Sequence, residues 1–193
     1  LKEEIRKTKE KTTGIVGVNI MMALTNFSDM VKTAIAEKAD VIFAGAGLPL
    51  DLPKYLTPGS ITKLVPIVSS ARAAKIICEK WKANYDYLPD LIVVEGPKAG
   101  GHLGFKQNQI VDPNYSIENL IPDVVREVAL FEEKYSQEIP VVAAGGIYDG
   151  ENMYISRHGY ISPIWSRELT LKFMKIADDE KWDLVVHDCS NYT

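Results

Sequence analysis

The chain has 193 residues, of which 46% are hydrophobic and 25% charged, with a formal net charge of -4. That balance excludes a disordered, collagenous or coiled-coil chain, and no apolar run approaches the ~20 residues that a membrane-spanning helix requires. A pI near 5.5 argues against nucleic acid as the main partner.

The first segment, LKEEIRKTKEK, predicts a helix over residues 2–11. It lacks the apolar h-region of a signal peptide. It begins at Leu1 in mid-helix, so preceding residues are expected. Residues 15–22 (IVGVNIMM) read as a buried strand, and 27–38 as a helix with Asn26 as its N-cap. Strands follow at 40–45 (DVIFAG) and 64–69 (LVPIVS), then a helix at 70–82 for which Ser69 or Ser70 is a candidate cap. A strand at 90–95 (DLIVVE) leads into a polar loop over 96–114; a helix over 117–135 and a strand at 139–144 (IPVVAA) come next. Beyond them, 166–181 reads as an amphipathic helix and 183–189 as a strand. The two cysteines, Cys78 and Cys189, form no CxxC pair, which makes a reducing cytoplasm the default compartment.

Continuous Val/Ile runs suit strands buried on both faces, and their alternation with helices predicts an α/β fold of repeated βα units around a parallel sheet. An open doubly wound sheet and a closed TIM (β/α)8 barrel compete. The glycine motifs VGVN, FAGAG, VEGPKAGGH and AAGGI end several different strands. A barrel gathers such ends around one ligand, whereas a doubly wound site concentrates its glycines after the first strand. The barrel is therefore expected.

The segment around His102 is the most informative. Ala99, Gly100, Gly101 and Gly104 let the backbone approach a flat or phosphorylated ligand, and the imidazole can move a proton near neutral pH. The competing reading is a glycine-rich turn carrying a surface histidine. Gly145 and Gly146 follow a late strand, where successive amides can cradle a phosphate or merely make a turn with positive φ. Asn19, at the end of the first strand, can offer a donor and an acceptor to a ring edge or cap a turn. His187, Asp188 and Cys189 have no second cluster at ligand spacing, so no metal site is expected. His158 reads as a loop histidine, Cys78 as core, and Trp81, Trp165 and Trp182 as packing residues.

Taken in order, GVNIM, DVIFAGAGLPLDLP, KLVPIVSSARAAKIICEKW, VVEGPKAGGHLGFK and IPVVAAGGIYDGE resemble the nitronate monooxygenase (2-nitropropane dioxygenase) family, to which the flavin-dependent enoyl-ACP reductases are related. The likeness covers about residues 1–152. It implies an FMN-binding barrel that oxidises alkyl nitronates or nitroalkanes with oxygen; the reductase branch would use NAD(P)H instead. It further implies His102 as the active-site base and Asn19 near the flavin. Glu95 would lie beside the ribityl chain or ring edge, with Ala99, Gly100 and Gly101 in the loop against the ring and Gly145 and Gly146 at the FMN phosphate. The partners so implied are a small-molecule substrate and oxygen, without nucleic acid or membrane.

The likeness ends where residues 153–193 begin. The chain is read as starting after the family's first Gly- and Met-rich strand, and the family's Gly-Thr turn is not found after Glu151. An incomplete barrel is therefore expected over 1–152, followed over 153–193 by a helix-strand segment for which two origins stand open: the barrel's next helix and strand, or a different gene context or fusion. An open parallel edge favours association, so a homo-oligomer is expected. A non-catalytic remnant of a flavin barrel remains the reading from a different class.

Overall fold

In the computed structural model, residues 1–146 and the strand at 159–162 are described. The elements are α1 (Lys2–Lys11), β1 (Gly17–Met21), α2 (Phe27–Ala36), β2 (Val41–Gly45), β3 (Lys63–Val68), α3 (Ala71–Tyr85), β4 (Ile92–Glu95), α4 (Gln107–Ile110), α5 (Ile117–Tyr135), β5 (Val141–Ala144) and β6 (Gly159–Ser162). Single 3₁₀ turns lie at Leu52–Tyr55 and Pro113–Tyr115.

The strands form one parallel sheet in the order β1-β2-β3-β4-β5-β6. Every crossover steps to the next position in the same direction. A doubly wound sheet would reverse its order at a switch point, so the sheet is singly wound, as in a βα barrel. β6 pairs with β5 from Val141↔Gly159 to Ala144↔Ser162. The next strand position is thus taken by residues 159–162, which the sequence pattern did not mark. The helix expected at 166–181 and the strand expected at 183–189 lie outside the described residues, as do His158, Trp165, Trp182, His187, Asp188 and Cys189.

Alternation along each strand divides the core in two. Ile42, Ala44, Leu64, Val68, Ile92, Val94, Val141 and Ala143 face the helices. Val41, Phe43, Val65, Val93 and Val142 pack together on the other face. Helix α3 buries Ala74, Ile77, Cys78 and Trp81, and α5 buries Ile117, Leu120, Ile121, Val124 and Val128. Both sets follow the stripe of one helical face. A 3.0 Å Lys75–Glu127 ion pair joins the two helices at their exposed rim. Trp81 is fully buried, and its indole N–H donates to the Pro49 carbonyl at 2.8 Å. It is a packing residue, as the sequence suggested.

Two aspartates tie the N-terminal ends of neighbouring strands. Asp40 Oδ2 accepts from the Val16 amide at 2.8 Å. Asp90 Oδ2 accepts from the Leu64 amide at 2.8 Å and from the Tyr87 hydroxyl, while Oδ1 lies 2.9 Å from Lys63 Nζ. Asp90 is thereby spent on pinning β3, and β4 starts at Ile92, later than the apolar run predicts. Ser70 caps α3 by accepting from the Ala73 amide at 3.2 Å. Asn26 holds the cap position of α2, but its backbone carbonyl takes the Asp29 and Met30 amides, and its side chain makes no cap bond.

Cys78 has no exposed surface. Burial first, and the nearby Glu127 charge second, push its thiol from 9.0 up to about 12. Burial and the bond to Asp90 raise the Tyr87 hydroxyl as well. Both groups stay neutral in the folded chain at pH values where the unfolded chain would ionise. The stabilising effect of the neutral Cys78 thiol is whole below pH 9.0 and is lost as pH rises toward about 12, and that of the Tyr87 hydroxyl is whole below pH 10.0 and is lost as pH rises above it. The midpoint of urea unfolding is therefore expected to fall between pH 9.0 and about 12, and Cys78→Ala to flatten that fall in part. A Cys78→Ala variant with the parent's slope would contradict this account.

Candidate active site

The loop after β4 is held against both neighbouring strand ends. The Gly96 amide donates to the Ala144 carbonyl at 2.8 Å, and the Ala99 amide to the Gly96 carbonyl at 3.1 Å. Gly145 and Gly146 have φ of +82° and +84°. That backbone region costs other residues about 1–2 kcal/mol. A Cβ on Gly145 would stand 2.5 Å from the Ala99 Cβ, and one on Gly146 would stand 2.8 Å from the Lys98 Cβ. On the other side of the loop, a Cβ on Gly104 would stand 2.5 Å from Ser69 Oγ. Bare backbone at these positions lets the loop span the C-terminal ends of β3, β4 and β5.

Beneath the loop is a cavity of about 450 Å³. Its floor is Ala46–Leu48 after β2, Ser69 after β3 and Glu95 at the end of β4; its rim is His102, Gly104 and Phe105, closed on one side by Gln109 of α4 and by Tyr115. Ala46 and Gly47 leave β2 with φ of +54° and +136°, which keeps the floor low. A larger hollow of about 670 Å³ lies at the opposite ends of the strands. There Asp40 and Asp90 are already committed to backbone amides and Lys63, so its polar groups serve strand pairing. The C-terminal cavity is the site to which chemistry can be assigned, and it is the end that barrels use.

Of the residues singled out from sequence, Glu95 and His102 line this cavity together. Gly145 is packed against Ala99 and Gly146 against Lys98 at the end of β5, and none of Ala99, Gly145 and Gly146 is in the cavity lining. Gly100 and Gly101 are exposed in the same loop, and Gly101 has φ of +79° with open space around it. Asn19 is on β1 opposite Phe43 of β2, exposed, and is not part of the cavity wall. His102 is exposed and has no hydrogen-bond partner among the described residues. Ser69, Phe105, Gln109 and Tyr115 were not read as site residues. Ser69 stood out only as one of two possible caps, and the other three lie in a stretch without hydrophobic periodicity. Among the described residues, no three His, Cys, Asp or Glu side chains cluster as metal ligands, and no helix is long and apolar enough to cross a membrane.

The family model described as nitronate monooxygenase matches residues 1–154. The chain belongs to the nitronate monooxygenase family. Among curated proteins of related sequence, a probable nitronate monooxygenase of Staphylococcus haemolyticus is 37% identical over 134 residues, covering 68% of this chain and 33% of that protein. The (3aS,4S,5R,7aS)-5-hydroxy-7a-methyl-1-oxo-octahydro-1H-indene-4-carboxyl-CoA dehydrogenase of Rhodococcus jostii is 28% identical over 153 residues, covering 79% of this chain and 36% of that protein. The chain thus spans about a third of the length of these curated relatives.

Two solved structures place the nitronate monooxygenase match in three dimensions. FabK from Thermotoga maritima superposes with a TM-score of 0.61 at 28% identity, over 83% of this chain and 45% of that one. Nitroalkane oxidase from Streptomyces ansochromogenes gives a TM-score of 0.61 at 16% identity, over 82% and 52%, and bears on the fold alone. With the consecutive strand order, these likenesses make the sheet a portion of a TIM-type barrel.

Proposed function

We propose that this chain forms the flavin-binding part of an oxidoreductase that holds FMN and oxidises alkyl nitronates and nitroalkanes with oxygen. The observation that carries the reading is the cavity at the C-terminal strand ends, where His102 and Glu95 meet a floor of small residues. The residues suit a flat cofactor with an anionic tail. Low backbone at Ala46–Gly47 leaves room for a ring beside His102, and Gly145 and Gly146, packed against Ala99 and Lys98, are read as the phosphate turn from the family resemblance. In this reading Glu95 meets the ribityl chain or ring edge. Asn19, on the neighbouring strand, would reach the ring edge only from outside the present wall.

A flavin held there would supply the electron acceptor for a substrate carbanion, with oxygen as final acceptor. The chain's own part is to take the α-proton of a neutral nitroalkane at a His102 ring nitrogen and to shield the carbanion from bulk water. A preformed nitronate has already lost that proton and needs only to be positioned. The names of the Staphylococcus and Rhodococcus relatives, a monooxygenase and a dehydrogenase, both support redox chemistry.

The test is the visible spectrum of the purified protein, with mass spectrometry of the released cofactor. Bound FMN and nitronate-dependent oxygen uptake are expected. A colourless protein that fails to take up added FMN would remove the flavin reading and favour the non-catalytic one. NAD(P)H consumption without nitronate-dependent oxygen uptake would move the chain to the reductase branch.

A further inference from the structure

We propose that Gln109 and Tyr115 are the substrate-positioning residues of this site, donating hydrogen bonds to the two oxygens of a nitro group while its α-carbon faces His102. The inference rests on the proposed function and adds to it a recognition element in a stretch that carries no sequence motif. Both residues line the cavity that holds His102. The Gln109 amide has a determined sense: its Oε1 accepts from the Lys106 backbone amide at 2.8 Å, closing the first turn of α4. The opposite sense would set two donors against each other, so Nε2 and its two protons are left for a ligand.

Tyr115 is held from several directions. Its ring meets Phe105 edge-on, with centroids 6.3 Å apart and planes at 83°. Its amide donates to the Asp112 carbonyl at 3.0 Å, and Asn119 Nδ2 fixes the same turn through the Pro113 carbonyl at 2.8 Å. The Tyr115 hydroxyl has no hydrogen-bond partner among the described residues. It is a donor on a rigid support, half-buried and unspent.

The charge of the lining selects the kind of ligand. Among the described residues the lining carries Glu95 and neither Lys nor Arg. A site built for a strongly anionic group would offer a cation. Two neutral donors beside an imidazole instead suit a neutral group with two weakly basic oxygens, which describes a nitroalkane before it loses its proton. Phe105 and Leu48 then leave apolar surface for a short alkyl chain.

The probe is 2-methyl-2-nitropropane. It has no α-hydrogen, so it can be neither deprotonated to a nitronate nor turned over, and its binding to the FMN-loaded full chain can be followed by ligand-observed NMR. Tyr115→Phe keeps the ring on Phe105 and removes only the hydroxyl. Gln109→Glu keeps the acceptor for the Lys106 amide, replaces the donors by a second oxygen and adds a negative charge, so Tyr115→Phe is the cleaner of the two variants. Each is expected to raise the Kd for the nitro compound about five-fold, the worth of one ordinary hydrogen bond, with FMN affinity unchanged. Kd values within two-fold of the parent in both variants would overturn the proposal, as would a parent that does not bind the probe. A fall in FMN affinity that tracks the loss of probe would also overturn it, by putting these residues on the cofactor. If the parent takes up no flavin yet binds the probe in a Tyr115-dependent way, the flavin reading fails and this one stands.

Discussion

Replacing His102 with alanine is expected to leave FMN content unchanged and to cut nitroalkane turnover by about 100- to 10,000-fold, the usual worth of a positioned base. Turnover of a preformed nitronate should fall far less. The contrast follows from the chemistry of the two substrates. A nitroalkane is a carbon acid whose α-proton must be removed before electrons can leave, and within the described cavity wall the imidazole of His102 is the nitrogen base available for that step. The nitronate arrives without that proton. His102 sits at the rim, exposed, so its loss opens no hole in the core and should not perturb folding. Steady-state oxygen uptake on both substrates, with flavin content measured on the same sample, decides the matter. Equal losses on both would show that His102 does something other than accept a proton.

The sequence disclosed β2 to β5 because strands buried on both faces must be apolar almost throughout; β1, read as a buried strand, has Gly17, Asn19 and Met21 exposed. The runs around Ile42, Val65, Val93 and Val142 have no other explanation at that length. The bounds of α5 were legible for the complementary reason, since it buries one stripe and leaves the rest polar, whereas α1 buries Ile5 alone and was legible from its polar, charged run. β6, Gly159–Ser162, carries no such run, and its place beside β5 is a tertiary fact that no local pattern announces. The same holds within the site. His102, Glu95 and the glycines of the β4 and β5 ends were legible because backbone that must come close to something needs residues without bulk. Gln109 and Tyr115 were not, because they reach the cavity only once residues 104–115 fold back through α4 and a 3₁₀ turn. Ser69 was hidden by ambiguity, because adjacent serines could each have capped α3 and the cap falls to Ser70. Asn19, read as a strand-end residue, is the middle residue of β1, which stands directly beside β2, whose end helps to floor the cavity.

Among the glycines of the described residues, Gly145→Ala should be the most damaging substitution, because it meets two independent penalties. An alanine at φ of +82° costs about 1–2 kcal/mol in backbone strain. Its Cβ would also stand 2.5 Å from the Ala99 Cβ and 2.9 Å from the Ala99 Cα. That second contact is with backbone and cannot be relieved by a rotamer change, so overpacking should add about 1–3 kcal/mol. The expected loss is about 2–5 kcal/mol, read as a shift in the urea midpoint at constant slope. FMN affinity should fall with it, because the loop that carries His102 must lift away from the end of β5. The two penalties can be separated. Ala99→Gly removes the Cβ–Cβ contact and leaves the dihedral strain untouched, so the double variant Gly145→Ala/Ala99→Gly should recover part of the overpacking loss and retain at least the strain. Such non-additivity is the signature of direct contact. Strict additivity of the two changes, or a Gly145→Ala variant within about 0.5 kcal/mol of the parent, the scatter of ordinary surface substitutions, would mean that the β4 loop does not rest on Gly145 and that the cavity is walled in some other way.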